Sequence, residues 1–145
     1  MLVTDGHGIP IGFLIESAYE AEVCLAQPTL ATIHVRTDRS RIRTRPNELI
    51  ADKGYESGPL RRALQRRGIK VCIPAKKRPK HWKRKQGRPI TFNRESYAKR
   101  WHIERTFAWL GNYRRLLVRW EHHKDVYQGF FTFAIMLICI NQLLK

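Results

Sequence analysis

The chain has 145 residues, 43% of them hydrophobic, with 28 Lys and Arg against 12 Asp and Glu and a formal net charge of +16. That length suits one domain, and the apolar content excludes a compositionally disordered polymer. So large a cationic excess points to a polyanionic partner, nucleic acid first, and says nothing about chemistry.

Residues 1–16 (MLVTDGHGIPIGFLIE) place apolar runs on either side of Asp5-Gly6-His7-Gly8. This is hairpin chemistry and predicts two antiparallel strands, with Pro10 opening the second. The chain thus starts inside a sheet, and no basic segment, apolar core and cleavage site mark a signal peptide. Ser17 and Glu20 are spaced as a capping box and predict a helix from Ala18 that Pro28 limits or restarts. Residues 34–47 hold five arginines and few apolar residues, which predicts an exposed basic loop.

Residues 48–52 (ELIAD) read as a short strand ending in an acid, and Lys53-Gly54-Tyr55 as the turn after it. Ser57 can cap a helix over about 58–67, with Pro59 in its first turn and Gly68 at its end. Residues 69–75 (IKVCIPA) alternate like a strand, so strand, helix and strand form a βαβ unit that favours parallel pairing. Residues 76–88 hold eight Lys or Arg and no acid, the pattern of a solvated loop.

Residues 93–120 read as helical, with Ile103, Phe107 and Leu110 as a core-facing stripe. A last helix spans roughly 124–144. Its apolar stretch, Phe130 to Leu144, is short of the roughly 20 residues a membrane span needs, and reads as a buried terminal helix. Trp101, Phe107, Trp109, Phe130, Phe131 and Phe133 read as core. Cys24, Cys72 and Cys139 lack metal-ligand or redox spacing, and their odd number argues against a disulfide framework. They read as reduced core residues.

Two acids stand out by position. Asp52 closes an apolar strand, and ligands of α/β sheets gather at the carboxyl ends of strands. A strand-terminal Asp also commonly caps the following turn. Glu104 follows Tyr97 and Arg100 at spacings of i, i+3 and i+7, which put all three on one face of a single helix. An acid beside an apolar stripe is costly unless paired or metal-bound; a surface pair of Arg100 with Glu104 is the plain alternative. Lys76, Lys77, Arg78, Lys80, Lys83, Arg84, Lys85 and Arg88 suit a phosphate backbone. Trp82 among them either stacks on a base or anchors the loop.

LIADKGYES, GIKVCIPAKK and RWHIERTFAWLGNYRRLLVRWE, in this order, resemble the IS4/IS5-type insertion-sequence transposases, and the resemblance covers essentially the whole chain. Its most specific part is Tyr97-x2-Arg100-x3-Glu104. Next comes Ala51-Asp52-Lys53-Gly54-Tyr55, then Asn112-x-Arg114-Arg115-Leu116 followed by Arg119 and Glu121. The resemblance implies an α/β, ribonuclease-H-like fold, here lacking its first strand, with a C-terminal helical section. Residues 1–145 would be a partial DDE catalytic domain, with a basic loop at 76–92 and a helical part at 93–145 carrying Glu104.

It further implies that Asp52 and Glu104 are the second and third catalytic carboxylates and ligands of two Mg²⁺ or Mn²⁺ ions. Tyr97 and Arg100 would contact DNA near the cut, and Arg114 or Arg115 a phosphate. The implied partners are double-stranded DNA of the element's ends and target, an upstream transposase segment, and a second copy in an active homodimer, with no membrane. The implied setting is the bacterial cytoplasm, on the nucleoid.

Two positions depart from the family pattern. Gly111 stands where a Lys often ends the signature. The first catalytic Asp belongs upstream of the hairpin, and Asp5 does not match it. The chain alone is therefore expected to be inactive, as a truncated product or a frameshift partner. A non-catalytic DNA-binding protein that binds element ends or regulates transposition is the main rival, and a basic RNA-binding protein a weaker one.

Overall fold

The computed structural model of the chain describes residues 1–77 and 92–144. In chain order these form β1 (Leu2–Thr4), β2 (Pro10–Phe13), α1 (Glu22–Ala31), β3 (Val35–Arg36), β4 (Ile42–Arg43) and β5 (Glu48–Ile50). A 3-10 turn at Lys53–Tyr55 follows, then α2 (Gly58–Arg66), β6 (Lys70–Cys72), α3 (Arg94–Ala98), α4 (Trp101–Gly111), α5 (Arg114–Leu117) and α6 (Lys124–Leu143). The described strands form three two-stranded sheets, so the expected mixed α/β class holds. The chain divides into two compact units, one of Met1–Thr44 with Trp101–Lys145 and one of Arg45–Arg100.

In the first unit, β1 and β2 pair antiparallel as expected, Leu2 opposite Phe13. Asp5 N–H donates to Ile9 O at 2.9 Å and Gly8 N–H to Asp5 O at 3.2 Å. Gly8 takes φ +81°, completing the three-residue loop in which a left-handed residue follows a turn. The turn sits on α4: Thr106 Oγ1 donates to Gly8 O at 2.6 Å, and the Arg105 guanidinium donates to His7 O. A Cβ at Gly8 would lie 3.1 Å from His102 O, so this contact as well as the dihedral calls for glycine.

The second hairpin was not expected. In place of a basic loop, β3 and β4 pair antiparallel, Arg36 opposite Ile42. Helix α1 starts at Glu22 rather than Ala18, because Ser17 closes a local turn instead of capping a helix. Its carbonyl accepts from Glu20 N–H at 3.2 Å and its Oγ from Tyr19 N–H at 3.4 Å. Pro28 lies within α1 and does not end it.

The core cluster of this unit is Leu2, Leu110, Ala134 and Ile138, with Phe13, Ile103, Trp109 and Phe131 packed against it. The expected stripe of α4 holds at Ile103 and Leu110 and is corrected at Phe107. Its buried residues are Thr106 and Leu110, one turn apart, and this rotates Phe107 outward to 52% exposure. Trp101 is exposed as well. In α6 the buried stripe is Ala134 and Ile138, which leaves Phe133, Met136 and Ile140 exposed. The terminal helix is therefore buried along one stripe only. At 20 residues it is long and apolar enough to cross a bilayer by length and composition. Its first turn is tied to the unit by Lys124 Nζ, 2.9 Å from Glu16 Oε2.

In the second unit β5 and β6 pair parallel, Glu48 opposite Lys70 and Ile50 opposite Cys72, with α2 as the crossover. The βαβ expectation holds. Ser57 Oγ caps α2 by accepting from Leu60 N–H at 3.5 Å. Arg45 Nη1 donates to Arg67 O at 2.7 Å, placing a cation at the negative end of that helix. Leu60, Leu64, Ile69, Cys72 and Ile73 are buried. Burial raises the Cys72 thiol pKa, which keeps it protonated, and it donates to Asn93 O at 3.2 Å. Cys72 is the core residue expected; Cys24 is exposed.

The continuous helix expected over 93–120 is instead α3, α4 and α5. Asn93 Oδ1 caps α3 by accepting from Glu95 and Ser96 N–H at 2.9 and 3.1 Å. At its end Lys99 N–H bonds Ser96 O and Arg100 N–H bonds Tyr97 O. These i→i+3 bonds tighten the turn to about 3.0 residues, so the 3.6-residue repeat is interrupted.

Candidate catalytic and nucleic-acid-binding residues

Asp52 lies just beyond the carboxyl end of β5 and is exposed. Its Oδ1 accepts from Gly54 N–H at 2.6 Å, capping the 3-10 turn. The turn-capping reading of a strand-terminal Asp is thus realised. The cap fixes the carboxylate's rotamer, and solvent reaches it. A Cβ at Gly54 would lie 2.8 Å from Asp52 Oδ1, so any larger residue there displaces this carboxylate.

What holds this loop was not read from the sequence. Glu56 follows the turn, and its Oε2 accepts from Arg61 Nε at 2.8 Å. Arg61, on α2, also donates through Nη2 to Ile73 O, beyond β6. The two side chains are only 9% and 6% exposed. A buried arginine is tolerated when its charge and its donors are met, and here it clamps the Asp52 loop, α2 and the end of β6 together.

Lys76 and Lys77 follow β6 and are exposed. With Lys53 and Gly54 they line an open cavity of about 480 Å³. Lys53 was missed as a binding candidate. Its signal was its place next to Asp52, at the same sheet end that Lys76 reaches from β6. Arg78, Lys80, Lys83, Arg84, Lys85 and Arg88, with Trp82, lie outside the described residues.

Tyr97 and Arg100 belong to the unit of Asp52. The Tyr97 ring packs at 5.1 Å on Phe92, and the Arg100 guanidinium lies 6.0 Å from the Tyr97 ring centre. Glu104 belongs to the other unit, exposed in the first turn of α4, where the helix dipole favours a negative charge. The interruption at Lys99 and Arg100 means that Tyr97, Arg100 and Glu104 do not share one uninterrupted helix. The next turn of α4 is braced: the Arg105 guanidinium lies 4.8 Å from both the Trp101 and Trp109 rings, and Thr106 is fully buried.

Asp5 has a structural role. Its Oδ1 accepts from His7 N–H at 2.8 Å and Ile9 N–H at 2.9 Å, closing the β1–β2 turn. Within the Asn112–Glu121 segment two arginines make contacts inside the fold. Arg115 Nη1 lies 2.8 Å from Glu121 Oε1 and its guanidinium 4.9 Å from the Phe130 ring. Arg119 Nε donates to Glu121 O at 3.1 Å. The hydrogen bond from Arg115, with its charge, holds the Glu121 carboxyl below its usual pKa, against the opposing effect of burial. Arg115 thus pairs with Glu121 while its side chain stays exposed, and Arg114 is also exposed, in the first turn of α5.

Carboxylates are the ligands hard divalent cations take, and Asp52 and Glu104 each offer one at the surface. By donor chemistry they fit Mg²⁺ or Mn²⁺. Among the described residues no group of three or more His, Cys, Asp and Glu comes together.

Comparison with known proteins matches the model of the transposase DDE domain to residues 1–139. A putative transposase for insertion sequence element IS402 from Burkholderia cepacia is 36% identical over 144 residues, which is 98% of this chain and 62% of that protein. The chain thus spans about three fifths of the length of this relative. No solved structure matches it. With the family match running through both acids and their flanking motifs, the chain belongs to the transposase DDE-domain family.

Proposed function

We propose that the chain is part of an insertion-sequence transposase that cuts and transfers DNA strands, on a ribonuclease-H-like fold of the IS4/IS5 type. Asp52 carries this reading: a solvent-reached carboxylate at a strand's carboxyl end, its rotamer fixed by Gly54 N–H, beside a cavity lined by three lysines. Asp52 and Glu104 would hold the divalent metal. When bound, Mg²⁺ or Mn²⁺ activates the attacking oxygen and stabilises the leaving oxygen at a phosphodiester.

The remaining residues bind and position. Lys53, Lys76 and Lys77 hold backbone phosphates beside Asp52, and Arg78, Lys80, Lys83, Arg84, Lys85 and Arg88 extend that basic segment. Tyr97 and Arg100 contact DNA near the cut, and Arg114 a phosphate beyond it. The Arg61–Glu56 clamp keeps the Asp52 loop from yielding when charge accumulates there.

The active form is a homodimer working on double-stranded DNA, in the cytoplasm and on the nucleoid. Helix α6 serves as a packing helix, with Ala134 and Ile138 in the core, and does not span a membrane. A second reading is DNA binding without catalysis, supported by the exposed Lys53, Lys76 and Lys77 around one cavity.

The test is cleavage of a duplex bearing the element's ends, with Mg²⁺ or Mn²⁺, by the chain alone and with a polypeptide supplying the first catalytic Asp. Cutting that disappears in Asp52→Ala and in Glu104→Ala, while DNA binding persists, supports the transposase reading. Binding without cutting in every arm supports the second. No binding to DNA removes both.

A further inference from the structure

We propose that the β3–β4 hairpin is a second DNA-binding element, a ribbon that enters the major groove and holds the backbone through Arg36, Arg39 and Arg41. The inference rests on DNA being the partner, and it is independent of the acids and of the lysine cavity.

The hairpin is a built structure. Thr37 N–H donates to Arg41 O at 2.9 Å, Ser40 N–H donates to Thr37 O at 2.9 Å, and Thr37 Oγ1 adds a bond to Arg41 O at 3.0 Å. Ser40 takes φ +56°. This is the same loop geometry as the β1–β2 turn, with serine where that turn has Gly8. A left-handed serine costs on the order of 1–2 kcal/mol, so the hairpin is maintained against strain.

The hairpin has little to gain from burial. Val35 and Thr37 are half-buried, and every residue from Asp38 to Arg43 is exposed, Ile42 at 62%. Short two-stranded ribbons of this kind are marginal by themselves. What the ribbon does present is charge. Arg36, Arg39 and Arg41 are exposed and, among the described residues, have no ion pair. Asp38 is the sole acid between Val35 and Arg43. Unpaired guanidiniums this close repel one another, and a polyanion relieves that repulsion.

Arg45 shows the contrast, since it is spent on Arg67 O. Dimensions select the polyanion. Paired strands lie about 4.8 Å apart, and the roughly 12 Å major groove of B-DNA admits a two-stranded ribbon. The major groove of an A-form RNA duplex is too narrow. Guanidiniums at the tip (Arg39) and on the flanks (Arg36, Arg41) then reach the phosphates lining the groove.

The experiment measures how binding of the 145-residue chain to a labelled mixed-sequence DNA duplex depends on salt. The wild type is compared with R36Q/R39Q/R41Q and with K76Q/K77Q. Each lost phosphate contact lowers the slope of log K against log salt by about 0.9. The arginine variant is expected to lose roughly 2–3 units of slope and at least tenfold in affinity at low salt, with an unchanged thermal melt. An unchanged slope in the folded variant overturns the inference. So does equal binding of a duplex RNA with the same loss on substitution. If the lysine variant weakens binding and the arginine variant does not, the inference fails and the proposed function stands. If the wild type binds no DNA, both fail.

Discussion

Arg61→Ala would remove the cation that clamps the Asp52 loop to α2 and β6. Three interactions end together: the ion pair with Glu56, the 2.8 Å hydrogen bond within it, and the donation to Ile73 O. The Glu56 side chain, 6% exposed, is left as a buried and unpartnered carboxylate. Removing one member of a buried pair costs about 3–5 kcal/mol. For a chain of this size that corresponds to a fall in Tm of roughly 10–20 °C. Thermal unfolding followed by circular dichroism at neutral pH measures it. The double variant Arg61→Met/Glu56→Leu removes both charges and keeps the volume, and should recover most of the loss. A Tm for Arg61→Ala within about 2 °C of the wild type would refute the clamp, because a group that can be deleted so cheaply was never bearing buried charge. If the proposed function holds, metal-dependent DNA cutting in the reaction complemented with the first catalytic Asp should fall with Arg61→Ala even well below its melting point, since the Asp52 loop loses its anchor.

Gly54→Ala forces a Cβ to within 2.8 Å of Asp52 Oδ1; stability should change little while, under the proposed function, metal-dependent cutting in the complemented reaction drops at least tenfold, in a variant whose DNA affinity is retained. Thr106→Val keeps the shape of a fully buried side chain but removes its donation to Gly8 O at 2.6 Å. It should cost about 1–3 kcal/mol by denaturant unfolding, with faster hydrogen exchange at the β1–β2 turn. Glu16 and Glu121 titrate below their ordinary values, through hydrogen bonds from Lys124 and Arg115 respectively and the charges behind them. Their contribution is complete above the unfolded carboxylate value of about 4.3 and disappears as pH falls through the lowered folded values. Glu121→Gln should therefore melt below the wild type at pH 7, and the two should converge once pH falls below the lowered folded value.

Local chemistry was enough for much of this chain. Asp5-Gly6-His7-Gly8 between apolar runs specifies a hairpin because its turn bonds are made within five residues. The βαβ unit is written in Ser57, Pro59 and Gly68 around a short amphipathic run. Asp52 and Glu104 stood out by position and by the motifs around them, and the family match runs through both.

Three things were decided elsewhere. The β3–β4 hairpin has serine at the position where its twin has glycine, so the glycine that marked the first hairpin was missing from it. Phe107 faces outward because the positions α4 buries are chosen by what lies across from it: Thr106 meets Gly8, 98 residues away in the chain. Five arginines looked alike in residues 34–47, and tertiary structure gave Arg45 to a helix end and left Arg36, Arg39 and Arg41 exposed. Periodicity and turn chemistry report interactions between near neighbours in sequence. The partner of a buried polar group, and which of several like charges is left over, are settled only when distant segments pack.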